Sequence, residues 1–229
     1  MAEHRTSDEV ERQYVEAMGS DLGRMHHKFW NECAWLHWKW DQFVILFGTS
    51  AGRVDLLNAA AGGFFRTVQD SLWEDVLLHI CRLTDPPQSH RKDNLTLKRL
   101  PPMVAASIRP EIKRLLGVVL KRCDFARNWR NRHMGHRDLR LALQANAKPL
   151  ASASRRSIKD AIAAIATLLN AIEAHYCGAT VAYDIVPPDG NAEALLYVLR
   201  DGIEAKAEQR KRFEFGQILP EDLKRKPAV

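Results

Sequence analysis

Apolar positions recur at three- and four-residue spacing along most of the chain, a period that predicts helices. Ser7, with Asp8 and Glu9 behind it, starts the first, placing acids at the positive end of the helix dipole. The pattern runs to Phe47 with a break near Gly19, and its stripe is Phe29, Cys33, Leu36, Trp40, Phe43 and Phe47. Trp30, Trp35 and Trp38 widen that surface, so cover is expected on two sides, from the fold itself and from a second subunit. Residues 51–84 repeat the pattern with Phe65, Val68, Leu72, Val76, Ile80 and Leu83 inward. Gly62–Gly63 either bends this helix or lets another approach it, and Asp85-Pro86-Pro87 stops it.

Residues 86–109 read as a surface connection with one helical turn at 95–100. A connection of this length points to a functional role. Pro110 and Glu111 open the next helix, with Ile112, Leu116, Val119, Cys123 and Ala126 buried. Continuing that face by four and three residues reaches Arg130 and His133, so the stripe turns polar at its end, and Gly135 is the candidate terminator. Residues 144–156 are loop-like. Ser157-Ile158-Lys159-Asp160 starts another helix as a capping-box variant, with Ile158, Ile162, Ile165, Leu169, Ile172 and Tyr176 inward and Gly178 as its stop. A short extended piece at 181–186 precedes a last helix over 191–212, with Leu195, Leu196, Leu199 and Ile203 inward. Residues 1–6 and the charged tail after Phe215 are expected to be loose. No strand alternation persists and no internal repeat is found. The fold class is therefore all-α, a bundle of about five to seven helices in a single domain over 1–229 with its core at about 20–212.

Composition adds bounds. Apolar residues at 46% and charged residues at 27% exclude general disorder. A formal charge of +6 and a pI near 9.2 point to an anionic partner, either nucleic acid or a membrane surface. No long uninterrupted apolar run and no signal-like N-terminus are found, so a cytoplasmic protein with no membrane partner is expected. Cys33, Cys81, Cys123 and Cys177 lie far apart without a CxxC pair and read as free buried thiols. His26, His27 and His37 lack zinc spacing and read as solvated or half-buried. No metal and no cofactor are expected.

The charge is concentrated. Residues 121–140 hold Lys121, Arg122, Arg127, Arg130, Arg132, Arg137 and Arg140 against Asp124 and Asp138, a local excess of +5. Within this stretch Arg130-Asn131, four further residues, His136 and then Arg137-Asp138 resemble the signature of the HEPN superfamily, an Arg and polar residue followed by a His. The run is most similar to that of the abortive-infection U type (AbiU-like) proteins. His175-Tyr176 near the end of the following helix and Asn191-Ala192 with Leu195-Leu196 in the last one extend the likeness over roughly residues 20–212. The chain departs from the pattern in its second histidine, His133, and in Gly135, where alanine is common.

The resemblance implies a homodimer that apposes two motifs, metal-independent endoribonuclease activity on RNA, and a toxin or phage-defence setting with a possible antitoxin partner. It also implies site residues. His136 would transfer protons, since an unperturbed imidazole titrates near pH ~6.5. Arg130 would clamp phosphate with its planar donor fork, and Asn131 would orient either group or the ribose. His133 and Asp138 are secondary candidates, and Arg127, Arg132, Arg137 and Arg140 are candidate RNA contacts. The four tryptophans at 30, 35, 38 and 40 either stack bases or pack the core. On a regular helix, at ~100° per residue, Arg130 and His136 do not share a face. Either the helix ends at Gly135 or a second subunit completes the site. Three readings stay open: the nuclease, a catalytically silent HEPN module that binds RNA, nucleotide or protein, and a helical interaction protein whose basic segment is merely solvated. In blander terms, Arg130 caps its helix or pairs with Asp124 or Asp138, and Asp85 pairs with Arg82.

Overall fold

Helix caps and breaks place eight α-helices among the described residues of the computed structural model, which are 6–89, 91–136, 138–143, 148–184, 190–220 and 222. They are α1 (Ser7–Met18), α2 (Ser20–Phe43), α3 (Ala51–Thr84), α4 (Leu100–Met103), α5 (Arg109–Trp129), α6 (Leu139–Ala142), α7 (Arg155–Cys177) and α8 (Ala192–Glu214). α4 and α6 are single turns, leaving six long helices in an all-α fold. Among the described residues, strand is confined to the antiparallel pair β1 (Gln88–Ser89) and β2 (Lys92–Asp93), with Ser89 opposite Lys92. No helix among the described residues is long and apolar enough to cross a membrane. The chain divides into two compact units, residues 1–40 with 71–186, and residues 41–70 with 187–229.

In the first unit α1 begins under Thr6. The Thr6 hydroxyl accepts the Glu9 N–H and the Glu9 carboxylate accepts the Thr6 N–H, so the cap lies one residue ahead of Ser7. Gly19, at φ +83°, ends α1 and starts the reversal into α2. The two helices then touch backbone to backbone: a Cβ on Gly23 would stand 2.5 Å from the Tyr14 carbonyl oxygen. This contact carries Tyr14 inward. Its ring meets His26 edge-on at 4.9 Å, its hydroxyl bonds Glu173 of α7, and His26 Nε2 lies 2.8 Å from Glu173 Oε2. His26 and His27 are both buried, against the solvated or half-buried expectation, because α1 and α7 bring the acids Glu11 and Glu173 to them.

α5 and α7 make the most extensive helix contact. Ile112, Leu115, Val119 and Cys123 on α5 and Ile158, Ile162, Ile165 and Leu169 on α7 are buried. The stripe on α5 uses Leu115, while Leu116 is half-buried. α7 starts at Arg155 because the Ser154 hydroxyl accepts the Ser157 N–H at 3.1 Å, which moves the cap from Ser157 to Ser154. Gly178, at φ +63°, ends α7 in the left-handed region. The 86–109 connection is more than surface. Leu97, Leu100, Pro101 and Val104 are buried, and the Thr96 hydroxyl donates to the carbonyls of Asp85 (2.7 Å) and Leu83 (3.2 Å). The connection is thereby stitched to the end of α3. Cys33, Cys81 and Cys123 are buried, and burial pushes their thiols up to about 12, 11 and 12; Cys177 is exposed instead.

In the second unit the last turn of α2 passes into a π turn, Val44–Gly48, and the Thr49 hydroxyl donates to the Val44 carbonyl at 2.9 Å. Within this turn Leu46 is buried and Phe47 is half-buried. α3 kinks at Ala61 (φ −165°, ψ 69°), one residue before the glycine pair. Asn191 caps α8, Gln42 Oε1 accepts the Ala192 N–H at 2.7 Å, and Arg53 pairs with Glu193 at 3.0 Å. Leu196 is buried, whereas Leu195 is 41% exposed. In the first unit, the extended piece expected at 181–186 is irregular over 181–184, held by paired bonds between Val181 and Asn170. Its last two residues, residues 1–5 and most of the tail after 220 lie outside the described residues.

Candidate active site

Ala126 is the last buried residue of α5. Beyond it the helix continues as a π turn, Arg130–Met134, closed by the Gly135 N–H donating to the Arg130 carbonyl at 2.7 Å. Such turns are rare and frequently mark functional positions. Gly135 remains right-handed (φ −80°, ψ −35°), so the helix stops there through a bend rather than through a left-handed glycine. A Cβ at this position would come within 3.1 Å of the Arg130 carbonyl oxygen.

Two residues anchor the end of α5. The Trp129 indole N–H donates to the Ala151 carbonyl at 2.8 Å, and Asn128 Oδ1 accepts the Ala151 N–H at 2.9 Å. Trp129 also meets Trp73 and His133 edge-on, at 6.2 and 5.6 Å. With its helix end fixed, Arg130 reaches back to the end of α3. Its Nη1 donates to both Asp85 oxygens, at 2.6 and 2.8 Å, and its Nε donates to Asn131 Oδ1 at 3.2 Å. Nη2 has no hydrogen-bond partner among the described residues, and the side chain is 28% exposed. The partner is therefore neither Asp124 nor Asp138. Asp85 in turn is not held by Arg82, which lies 3.9 Å from Asp75.

Arg127 joins the same carboxylate at 3.4 Å and donates to the Thr84 carbonyl at 3.0 Å. Lys98, from the 86–109 connection, is close enough to feel both. Burial lowers its ammonium pKa, Arg127 lowers it further, and Asp85 opposes the shift. Three cations thus gather at one carboxylate. Arg132 is directed elsewhere: its Nε bonds Asp138 at 3.0 Å and its other nitrogens bond the carbonyls of Lys148 (2.7 Å) and Pro149 (3.3 Å). Asp138 also caps α6, and the Leu141 N–H, followed by Arg132, holds its carboxyl below the usual carboxylate range.

His133 is half-buried against Trp129, and His136 and Arg140 are exposed. Arg137 lies outside the described residues. Among the described residues no hydrogen bond joins His136 to Arg130 or Asn131. The structure brings Arg130, Asn131, Arg127, Lys98 and Asp85 together and leaves His136 on the adjoining bend. Asp85 and Lys98 are the residues that sequence reasoning left out of the site. The available signal was weak: an acid closing one helix, and a connection too long to be passive.

A helical bundle that ends a long helix in this Arg-Asn and His run defines the HEPN class. A family model described as AbiU2 matches residues 19–195, and the chain belongs to this HEPN family. No curated protein and no solved structure matches the chain.

Proposed function

We propose that the protein is a metal-independent endoribonuclease acting as a phage-defence or toxin effector. The observation that carries this reading is the arrangement at the end of α5. Arg130 is held by Asp85 through one guanidinium nitrogen and keeps another open, six residues before an exposed His136. Membership of the AbiU2 family supports the same setting.

In the proposed reaction a base removes the proton of an RNA 2′-hydroxyl, whose oxygen attacks the adjacent phosphorus. The P–O5′ bond breaks and an acid protonates the departing 5′ oxygen. The products are a 2′,3′-cyclic phosphate and a 5′-hydroxyl. His136 supplies proton transfer, and Arg130 stabilises charge on the pentavalent phosphate, the role of preorganised donors in a transition state. The exposed Arg140 and the Lys98–Arg127 pair are placed to attract the strand.

Labelled RNA incubated with the protein and EDTA is expected to yield cyclic-phosphate ends, and Arg130→Ala and His136→Ala are each expected to abolish them without loss of folding. Equal cleavage by wild type and His136→Ala would overturn the reading. Salt-sensitive RNA binding without products would instead identify a silent binding module, the reading favoured by the lack of any direct bond between His136 and Arg130.

A further inference from the structure

Asp85 faces two ways. Besides holding Arg130, it forms part of the wall of a cleft of about 580 Å³ in the first unit. α2 lines this cleft with Glu32 and Trp35, and α3 lines it with His79 and Arg82. His79 is only 2% exposed, yet neither ring nitrogen has a hydrogen-bond partner. Its Nε2 lies 2.7 Å from Glu32 Oε2, but off the line that a hydrogen bond requires. The Glu32 carboxylate offsets part of the burial cost at Nε2, and Nδ1 has no partner among the described residues, so the imidazole keeps hydrogen-bonding capacity unused at the cleft. Glu32 keeps its carboxylate 40% exposed. Trp35, at 59%, presents a large aromatic surface to water at the same cleft. Arg82 has its nearest acid, Asp75, at 3.9 Å and remains largely exposed.

An aromatic plane, a carboxylate, a buried imidazole and an exposed guanidinium in one cleft match the parts of a nucleotide. Bases stack on indole surfaces whatever their identity, while polar groups at the base edge provide selection. A carboxylate accepts from the exocyclic amino groups of adenine, cytosine and guanine. Uracil has no amino group and presents carbonyl oxygens there. A guanidinium takes a phosphate oxygen.

We propose that this cleft is a nucleobase subsite that holds the base beside the scissile phosphate of a single-stranded RNA. Trp35 is its stacking surface, the Glu32–His79 pair its selective edge and Arg82 its backbone contact. The shared residue Asp85 places it directly next to Arg130. The word scissile rests on the ribonuclease reading; the binding site itself does not.

The test uses the full chain and 2′-O-methyl oligonucleotides, which lack the attacking hydroxyl and cannot be cut. Homopolymers of A and C are expected to shift the Trp35 indole and His79 ring signals in NMR spectra and to bind more tightly than a U homopolymer. Trp35→Ala should weaken binding of every base on the order of tenfold, and Glu32→Gln should level the preference. Both side chains are exposed enough to replace without unfolding the chain. Binding that neither variant alters would overturn the subsite, as would signal changes confined to other residues. Free AMP or CMP binding as tightly as the oligonucleotides would also overturn it, showing a pocket for a soluble nucleotide. If the wild type binds as expected but cuts no RNA, the ribonuclease reading fails and the subsite stands. Cleavage with an unchanged base preference in both variants gives the reverse.

Discussion

Asp85 has two neighbouring arginines to satisfy, and its closer bonds go to Arg130. A guanidinium held from one side presents its remaining N–H groups in a set direction, which is what phosphate clamping in a transition state requires. Asp85→Asn keeps the size of the side chain and removes its charge. On the ribonuclease reading it is expected to lower kcat by roughly 10²-fold, the cost of a misplaced phosphate-stabilising group, with KM and thermal midpoint little changed. Steady-state kinetics and a melting curve check this; a rise in kcat would identify the carboxylate as a brake on Arg130. Half-buried His37 and buried His79 argue a separate prediction. Burial lowers the pKa of His37 and of His79, opposed by Asp184 and Glu32 respectively. Above the unfolded value of 6.5 both rings are neutral in either state. Below it the unfolded chain takes up protons that the folded chain resists, so stability falls as pH drops towards the folded values. The melting temperature is expected to decline from pH 7 to pH 5.5, and less steeply in a His37→Gln, His79→Gln double variant. Equal slopes for the two proteins would refute this.

At the scale of elements, α1 and α2 meet at a point where only glycine fits. A Cβ on Gly23 would press on the Tyr14 backbone, which cannot move aside as a side chain could. Gly23→Ala is therefore expected to cost about 1–3 kcal/mol, as overpacking does, and to loosen the Tyr14, His26 and Glu173 contacts. Urea unfolding measures the first effect, and amide exchange along α1 measures the second. A variant as stable as the wild type would show that the helices slide apart at no cost. Helix existence was legible from periodicity, and so were the stops at Gly19, Asp85 and Gly178. Start positions shifted because Thr6 and Ser154 out-competed neighbouring hydroxyls. The inward position at the end of α2 fell on Leu46 rather than Phe47, and the π turn over Val44–Gly48 was not announced by the rhythm of apolar positions. The burial of Leu97 and Leu100 was equally hidden, since a broken polar sequence with four prolines resembles a surface loop.

At the scale of the whole molecule, the charge of +6 favours an anionic partner, and the ribonuclease reading supplies one in RNA. Arg130 and His136 share no bond within one chain, so the reading calls for a homodimer that completes the site. Arg130→Ala and His136→Ala, each inactive alone, are expected to regain part of the cleavage when mixed and allowed to exchange subunits. A mixture as inactive as its components would exclude a site built from both chains. Sedimentation at several protein concentrations gives the subunit count independently.

The all-α class, the long helices and the identity of the Arg130, Asn131 and His136 run follow from the sequence by itself, because apolar spacing and a local motif are properties of neighbouring residues. Which carboxylate holds Arg130 does not. Asp85 lies 45 residues away from it, and an exposed-looking acid after Arg82 offers an equally good local partner. Only packing of the end of α3 against the end of α5 made that choice. The same packing brought Lys98 to the site, buried His79 without hydrogen-bond partners and tied Arg132 to backbone carbonyls, so that similar arginines in one basic stretch came to hold different partners.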